Sequence, residues 1–85
     1  MNDAEKSLEF VRFVLEQVCD HKDDIVLTVE SIGRESTVKV KVHDEDMGKV
    51  IGKNGQTISA LRVLTRTMGA KNAQRINLHL EESPE

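Results

Sequence analysis

The stretch Val50-Ile51-Gly52-Lys53-Asn54-Gly55-Gln56-Thr57-Ile58 decides the fold. Two glycines three apart let the backbone turn sharply with no Cβ in the way. Apolar residues flank them on both sides, so the run reads as helix, tight turn, helix. A short helix is predicted to end at Ile51. A second is predicted from about Gln56 to Met68, with Gly69 as its C′ residue. At 100° per residue its inner stripe is Ile58, Leu61, Leu64, Thr65 and Met68. Ser59, Arg62, Val63 and Arg66 lie on the other side.

Upstream, Asp44-Glu45-Asp46 supplies a helix N-cap and favourable negative charge for a first turn. Before it, Val38, Val40 and Val42 alternate with Thr37, Lys39 and Lys41, which marks a strand. Ile25, Leu27 and Val29 alternate with Val26, Thr28 and Glu30 to give its hairpin partner, across a turn at Ser31-Ile32-Gly33-Arg34-Glu35. Residues from about 4 to 19 read as a helix with Leu8, Val11, Val14, Leu15 and Val18 on one side and Phe10 at the edge. Glu5, Glu9, Arg12 and Glu16 fall opposite. Phe13 projects among them, either shielding a loop or meeting a partner.

Downstream, Ile76, Leu78 and Leu80 face inward on a last strand and Arg75, Asn77 and His79 face outward. The acidic tail Glu81-Glu82-Ser83-Pro84-Glu85 carries the only proline and is expected to fray. The order α-β-β-α-α-β places the chain in the α+β class. The hairpin makes the first two strands antiparallel, and the two-helix crossover returns the third parallel to one of them, in right-handed sense. Three helices then cover one face of a three-stranded mixed sheet.

At 85 residues the chain has room for one domain, 1–85, and one small core. A deep cleft with its own lid is beyond that size. No apolar stretch approaches a bilayer span. Met1-Asn2-Asp3-Ala4-Glu5 has neither the basic nor the apolar region of a signal peptide. A lone cysteine, Cys19, allows no internal disulfide. These features imply a soluble cytoplasmic protein with one buried or half-buried thiol.

The net charge of −3 argues against a nucleic-acid partner until its distribution is read. All 15 acidic residues lie outside the segment from Met47 to Leu80, which carries Lys49, Lys53, Arg62, Arg66, Lys71 and Arg75. That segment is +6 and the rest of the chain −9, which implies a cationic face on an acidic body. A solvated basic helix side would explain the charge alone. The glycine turn inside the same segment makes it informative.

Amide groups at that turn and at the start of the second helix point outward, where the helix dipole favours an anion. A phosphodiester backbone can approach closely because both glycines lack side chains. Lys53 adds positive charge and Asn54 a hydrogen-bond donor. Val50, Ile51 and Ile58 can anchor the helices and offer apolar surface to a base.

The run from Val50 to Ile58 resembles the KH signature: an apolar pair, GxxG, then an apolar residue three positions on. The element order looks like the type II, prokaryotic form of that fold. Extended to Asp46-Met47-Gly48-Lys49 and to Ser59-Ala60-Leu61-Arg62, the chain resembles the small bacterial KhpA family of stand-alone KH proteins. The likeness is strongest from Asp46 to Arg66 and loose before residue 24. A bare GxxG is weak evidence. Helices on each side, with apolar neighbours in register, make it specific.

The resemblance implies a groove gripping about four nucleotides of single-stranded RNA, with the loop on the sugar-phosphate backbone. By position, Gly52, Lys53, Asn54 and Gly55 would hold phosphates. Gly48, Lys49, Val50, Ile51 and Ile58 would form one wall, with Arg62 beside them, and strand residues near Val40 or Lys41 the other. With 2% aromatic residues and no Trp or Tyr, the chain lacks broad stacking platforms, so base readout would be modest. The family also implies an RNA-binding regulator or chaperone of the cytoplasm. It further implies self-association and pairing with a larger KH protein of the KhpB (Jag/EloR) type. Val63 and Leu64 are candidates for that contact, unless Leu64 belongs to the core.

Other functions fit less well. A P-loop needs GxxxxGK followed by Ser or Thr, and Gly48 is followed by Gly52-Lys53-Asn54, so spacing and hydroxyl both fail. His21, His43, His79 and Cys19 lack paired metal-ligand spacing and read as solvated or capping residues. No nucleophile–base pair is present in the pattern, and no cofactor or metal is expected. The remaining rival is a protein-interaction or dimerisation module in which RNA binding is secondary.

Overall fold

The structure, a computed structural model, describes residues 1–82. Its helices are α1 (Asp3–Val18), α2 (Met47–Ile51) and α3 (Gln56–Ala70), and its strands β1 (Val26–Ile32), β2 (Glu35–Lys41) and β3 (Arg75–Leu80). Single 3₁₀ turns at Lys22–Asp24, Asp44–Asp46 and Lys53–Gly55 join them. The α-β-β-α-α-β order read from the sequence is therefore observed. The sheet order is β1-β2-β3, with β1 antiparallel to β2 and β3 parallel to it. Among the described residues, no helix is long and apolar enough to cross a membrane.

The core forms where the period-2 faces of the strands meet the apolar stripes of α1 and α3. Val11, Leu15, Val38, Val40, Val42, Val50, Ile58, Leu61, Ile76 and Leu78 are buried together, and Cys19 closes the cluster at 4% exposure. Burial, followed by the nearby Asp46 carboxylate, pushes the Cys19 thiol up, so it stays protonated and inert. The sheet's other face is open, with Val26 at 52% and Ile32 at 86% exposure.

Several boundaries differ from the sequence reading. The hairpin turn is only Gly33-Arg34, because Ser31 and Ile32 pair with Ser36 and Glu35 and extend both strands. Gly33 takes φ 60°, the positive angle that a II′-type two-residue turn places at its first position. Gly69 does not act as a left-handed cap. It lies buried inside α3, where a Cβ would sit 2.7 Å from the Gln74 carbonyl oxygen and 2.9 Å from Ile76 Cδ1. Its role is close packing of α3 on β3, and the left-handed residue after the helix is Ala73, at φ 57°.

The acidic triplet before α2 also works differently. The cap at this turn is His43, whose Nδ1 accepts the Glu45 N–H at 3.0 Å. Asp46 makes no capping bond. Its carboxylate accepts the backbone N–H groups of Asp20 (3.1 Å) and His21 (2.9 Å), which ties the end of α1 to the start of α2. At the other end of the chain, Glu81 N–H donates to Val40 O at 2.7 Å and continues the β3 pairing, so this tail residue is held. Ser83, Pro84 and Glu85 lie outside the described residues.

Candidate nucleic-acid interface

The turn between α2 and α3 is built from unusual backbone angles. Gly52 has φ 77° and ψ 175°, Asn54 φ 55° and ψ 26°, and Gly55 φ 74° and ψ 13°. Gly52 is fixed twice over, since a Cβ there would also lie 2.3 Å from Thr57 Oγ1. Gly55 has open space around it and is needed for its angle alone. Asparagine is among the few side-chain-bearing residues that tolerate the left-handed region. The sequence Gly-Lys-Asn-Gly thus matches each angle the turn demands.

Two internal bonds hold the turn: Gly52 N–H to Gly48 O at 2.9 Å and Gly55 N–H to Gly52 O at 3.1 Å. The Gln56 N–H is taken by Lys53 O. Among the described residues, the Lys53 and Asn54 N–H groups have no such partner, and both residues are exposed. Gly55 is the N-cap of α3 and supplies no side chain to compete for the helix's first amides. The result is an exposed, positively polarised knuckle at the N-terminal end of a 15-residue helix.

The flanking residues divide into supports and surfaces. Val50 is 0% and Ile58 6% exposed, so both anchor the turn from beneath and neither presents surface to a base. Ile51, at 38%, does, and Gly48 beside it is exposed. Val40 is buried on the central strand, so the strand wall expected near Val40 and Lys41 is reduced to the exposed Lys41. The open strand edge beside α3 belongs to β3. Arg75 and Glu81 donate their N–H groups toward β2, so by alternation Ile76, Leu78 and Leu80 turn their backbone groups to the free edge. Arg62 reaches across and donates from Nε to the Leu78 carbonyl at 3.3 Å.

The six cations of the basic segment do not behave alike. Lys49 pairs with Asp20 and lies 3.8 Å from Asp46, and the Asp20 hydrogen bond holds its ammonium pKa above the usual lysine value. Its charge is largely spent within the fold. Lys71 sits beside Asp3 and Lys6 at the start of α1. Lys53, Arg62, Arg66, Lys71 and Arg75 have no ion-pair partner among the described residues. This split was not readable from composition, because it depends on where Asp20 and Asp46 come to rest.

A second surface lies on the far side of α3. Phe10, Val14, Ala60, Leu61 and Leu64, with Gln56 and Thr57 at the end nearest the turn, line a mainly apolar depression of about 320 Å³ between α1 and α3. Leu64 is 47% and Val63 62% exposed, so Leu64 is not a core residue. Phe13 is likewise exposed, at 63%.

Near α2, the rings of His21 and His43 stack with centroids 3.9 Å apart, and His21 Nε2 lies 2.9 Å from Glu45 Oε1. Ligand atoms of these three residues fall within 4.8 Å of one another. Sequence spacing alone did not show this grouping. His43 Nδ1 is already committed to capping, and His21 Nε2 to Glu45.

Comparison with known proteins gives a consistent result. A family model described as KhpA/KhpB, KH domain matches residues 8–80. The RNA-binding protein KhpA of Listeria monocytogenes serovar 1/2a is 38% identical over 74 residues, which cover 87% of this chain and 97% of that one. RNA-binding protein KhpA of Halalkalibacterium halodurans is 34% identical over 70 residues, covering 82% and 92% of the two chains. RNA-binding protein KhpA of Streptomyces coelicolor is 32% identical over 66 residues, covering 78% and 84%.

Proposed function

This chain belongs to the KhpA/KhpB family of KH domains, and from that premise we propose that it grips single-stranded RNA through the Gly52-Lys53-Asn54-Gly55 turn. The observation that carries this reading is the pair of backbone amides at exposed Lys53 and Asn54, which, like the Lys53 ammonium, have no partner among the described residues and stand at a helix N-terminus. Backbone N–H groups in that arrangement suit phosphate oxygens, and the glycines let the RNA backbone come close. Gly48 and Ile51 flank the contact, Val50 and Ile58 hold it in place, and Arg62 borders it on the β3 side. Lys49 contributes chiefly by fixing Asp20 and Asp46, so its part in RNA contact is secondary. The family is one of KH domains and not of enzymes.

Residues 1–85 act as one binding module in this reading. A single such module binds weakly, so pairing adds avidity. The apolar depression between α1 and α3, together with exposed Val63 and Leu64, favours self-association or pairing with a larger KhpB-type protein. That surface reaches Gln56 and Thr57 beside the turn but does not include Lys53 or Asn54, so dimerisation and RNA binding are compatible, and a pure interaction module is the poorer alternative. The role is that of a cytoplasmic post-transcriptional regulator or RNA chaperone.

The test is the double substitution Lys53→Asp, Asn54→Asp, which opposes the phosphates with two carboxylates and leaves both glycines in place. RNA binding in a gel-shift titration is expected to be lost while the circular dichroism spectrum stays the same. Undiminished affinity would refute the loop mechanism.

A further inference from the structure

We propose that the RNA does not end at the turn but continues along the seam between α3 and β3 into a second phosphate subsite formed by Arg66, Arg75 and Gln74. This inference rests on the proposed function and extends its binding surface. Three observations carry it.

The first is alignment. Arg62 and Arg66 are four residues apart on α3, which puts them on one helix face, roughly 6 Å apart along the axis. Arg62 fixes which face that is, because its guanidinium reaches the outward carbonyl of Leu78 on the free edge of β3. Arg66 therefore lies on the same flank, one turn farther from the Gly-Lys-Asn-Gly turn. It is about 15 Å along the helix from Gln56.

The second is convergence. Arg66 meets Arg75, the first residue of β3, across a shallow depression of about 290 Å³ that Ala70 and Gln74 complete. Ala70 leaves room for a ligand atom, and Gln74 offers an amide. Backbone bonds fix the strand end, since Gln74 N–H donates to Gly69 O at 3.0 Å and Arg75 N–H to Arg34 O at 2.8 Å.

The third is the absence of neutralisation. Arg66 and Arg75 have no ion-pair partner among the described residues, in contrast to Lys49 on Asp20 and Lys39 on Glu30. The nearest acid in register with Arg75 is Glu35, and its Oε1 accepts from Asn77 Nδ2 at 3.0 Å. Two guanidiniums facing one depression repel each other, and an anion between them removes that repulsion. Guanidinium forks suit phosphate oxygens. A strand of RNA leaving the turn along α3 supplies such an anion without any new ligand class.

The experiment is fluorescence anisotropy with single-stranded RNAs of four and twelve nucleotides, using the whole chain and its Arg66→Gln, Arg75→Gln variant. Both side chains are exposed, and an unchanged circular dichroism spectrum checks the fold. The twelve-nucleotide RNA is expected to bind the variant about tenfold more weakly at low salt. Its log–log salt slope should be shallower by about 1.4, two phosphates at about 0.7 each. The four-nucleotide RNA is expected to bind both proteins equally. Equal affinity and slope for the long RNA overturn the second subsite and leave the turn mechanism standing. Equal losses for both lengths overturn it too, by placing the arginines in the turn's own grip. Binding of neither RNA by the unaltered protein overturns both proposals.

Discussion

The Asp46 carboxylate accepts the backbone N–H of His21 at 2.9 Å, across 25 residues of sequence, while only 1% of Asp46 is exposed. A second bond, from the Asp20 N–H, completes a bidentate clamp between the segment leaving α1 and the residue that opens α2. The glycine turn hangs from α2, so the clamp fixes the platform on which the proposed RNA contact is built. Burial pushes the Asp46 carboxyl up. The His21 and Asp20 amides, with further help from His21 and Lys49, more than reverse this and hold it below the usual carboxylate range.

Asp46→Asn tests the clamp. The amide keeps one acceptor and turns its NH₂ toward a backbone donor, so the thermal midpoint at pH 7 is expected to fall by several degrees. Because the folded-state pKa is depressed, the carboxylate's contribution is present above the unfolded value near 3.9 and lost as pH falls through the folded one. The gap between wild type and variant should therefore narrow progressively as pH falls below about 4. A gap that stays constant throughout the acid titration, down to acid unfolding, would show that the charge is not what matters.

The two loop glycines should differ in cost. Gly55→Ala forces only a left-handed alanine, worth about 1–2 kcal/mol. Gly52→Ala enters a different region, φ 77° with ψ 175°, which is essentially closed to any residue but glycine, and it also drives a Cβ into Thr57. That overpacking adds a further 1–3 kcal/mol or so. Urea unfolding of both variants measures the difference, and equal losses would show that the Thr57 contact is easily relieved.

Val63→Glu places a carboxylate on the exposed surface of α3 without touching the core, since Val63 is 62% exposed. If that surface is the dimer contact, sedimentation velocity should show self-association weakened while the fold persists. Leu64→Glu should do the same. An unchanged oligomer would move the contact elsewhere, with Phe13 the next apolar surface to try.

Local features were legible in the sequence and tertiary choices were not. Strand alternation from Ile25 to Val42 and the helical stripe of α1 report burial directly, so the element order followed from pattern alone. The turn was legible because left-handed angles leave few residue types to choose from. The role of Gly69 was not, because a glycine near a helix end reads as a cap, whereas here Ile76 and the Gln74 carbonyl crowd the position from another element. Asp46 read as a cap for the same reason, since its partners lie 25 and 26 residues upstream. Leu64 fell on the predicted inner stripe, but the stripe is narrower than helical spacing implies, because α1 leaves a depression open beside α3. Charge blocks showed that the segment from Met47 to Leu80 is basic. Only folded positions showed that Lys49 is paired with Asp20, and that the arginines of α3 and β3 have no ion-pair partner among the described residues.

The most direct measurement is a nitrogen-15 amide titration of the chain with a short single-stranded RNA, followed residue by residue. The Lys53, Asn54 and Gly55 signals are expected to move first and farthest, with Ile51 and Arg62 following and the open sheet face at Thr28 and Glu30 still. Saturable binding that leaves the Lys53 and Asn54 amides unmoved would contradict the account.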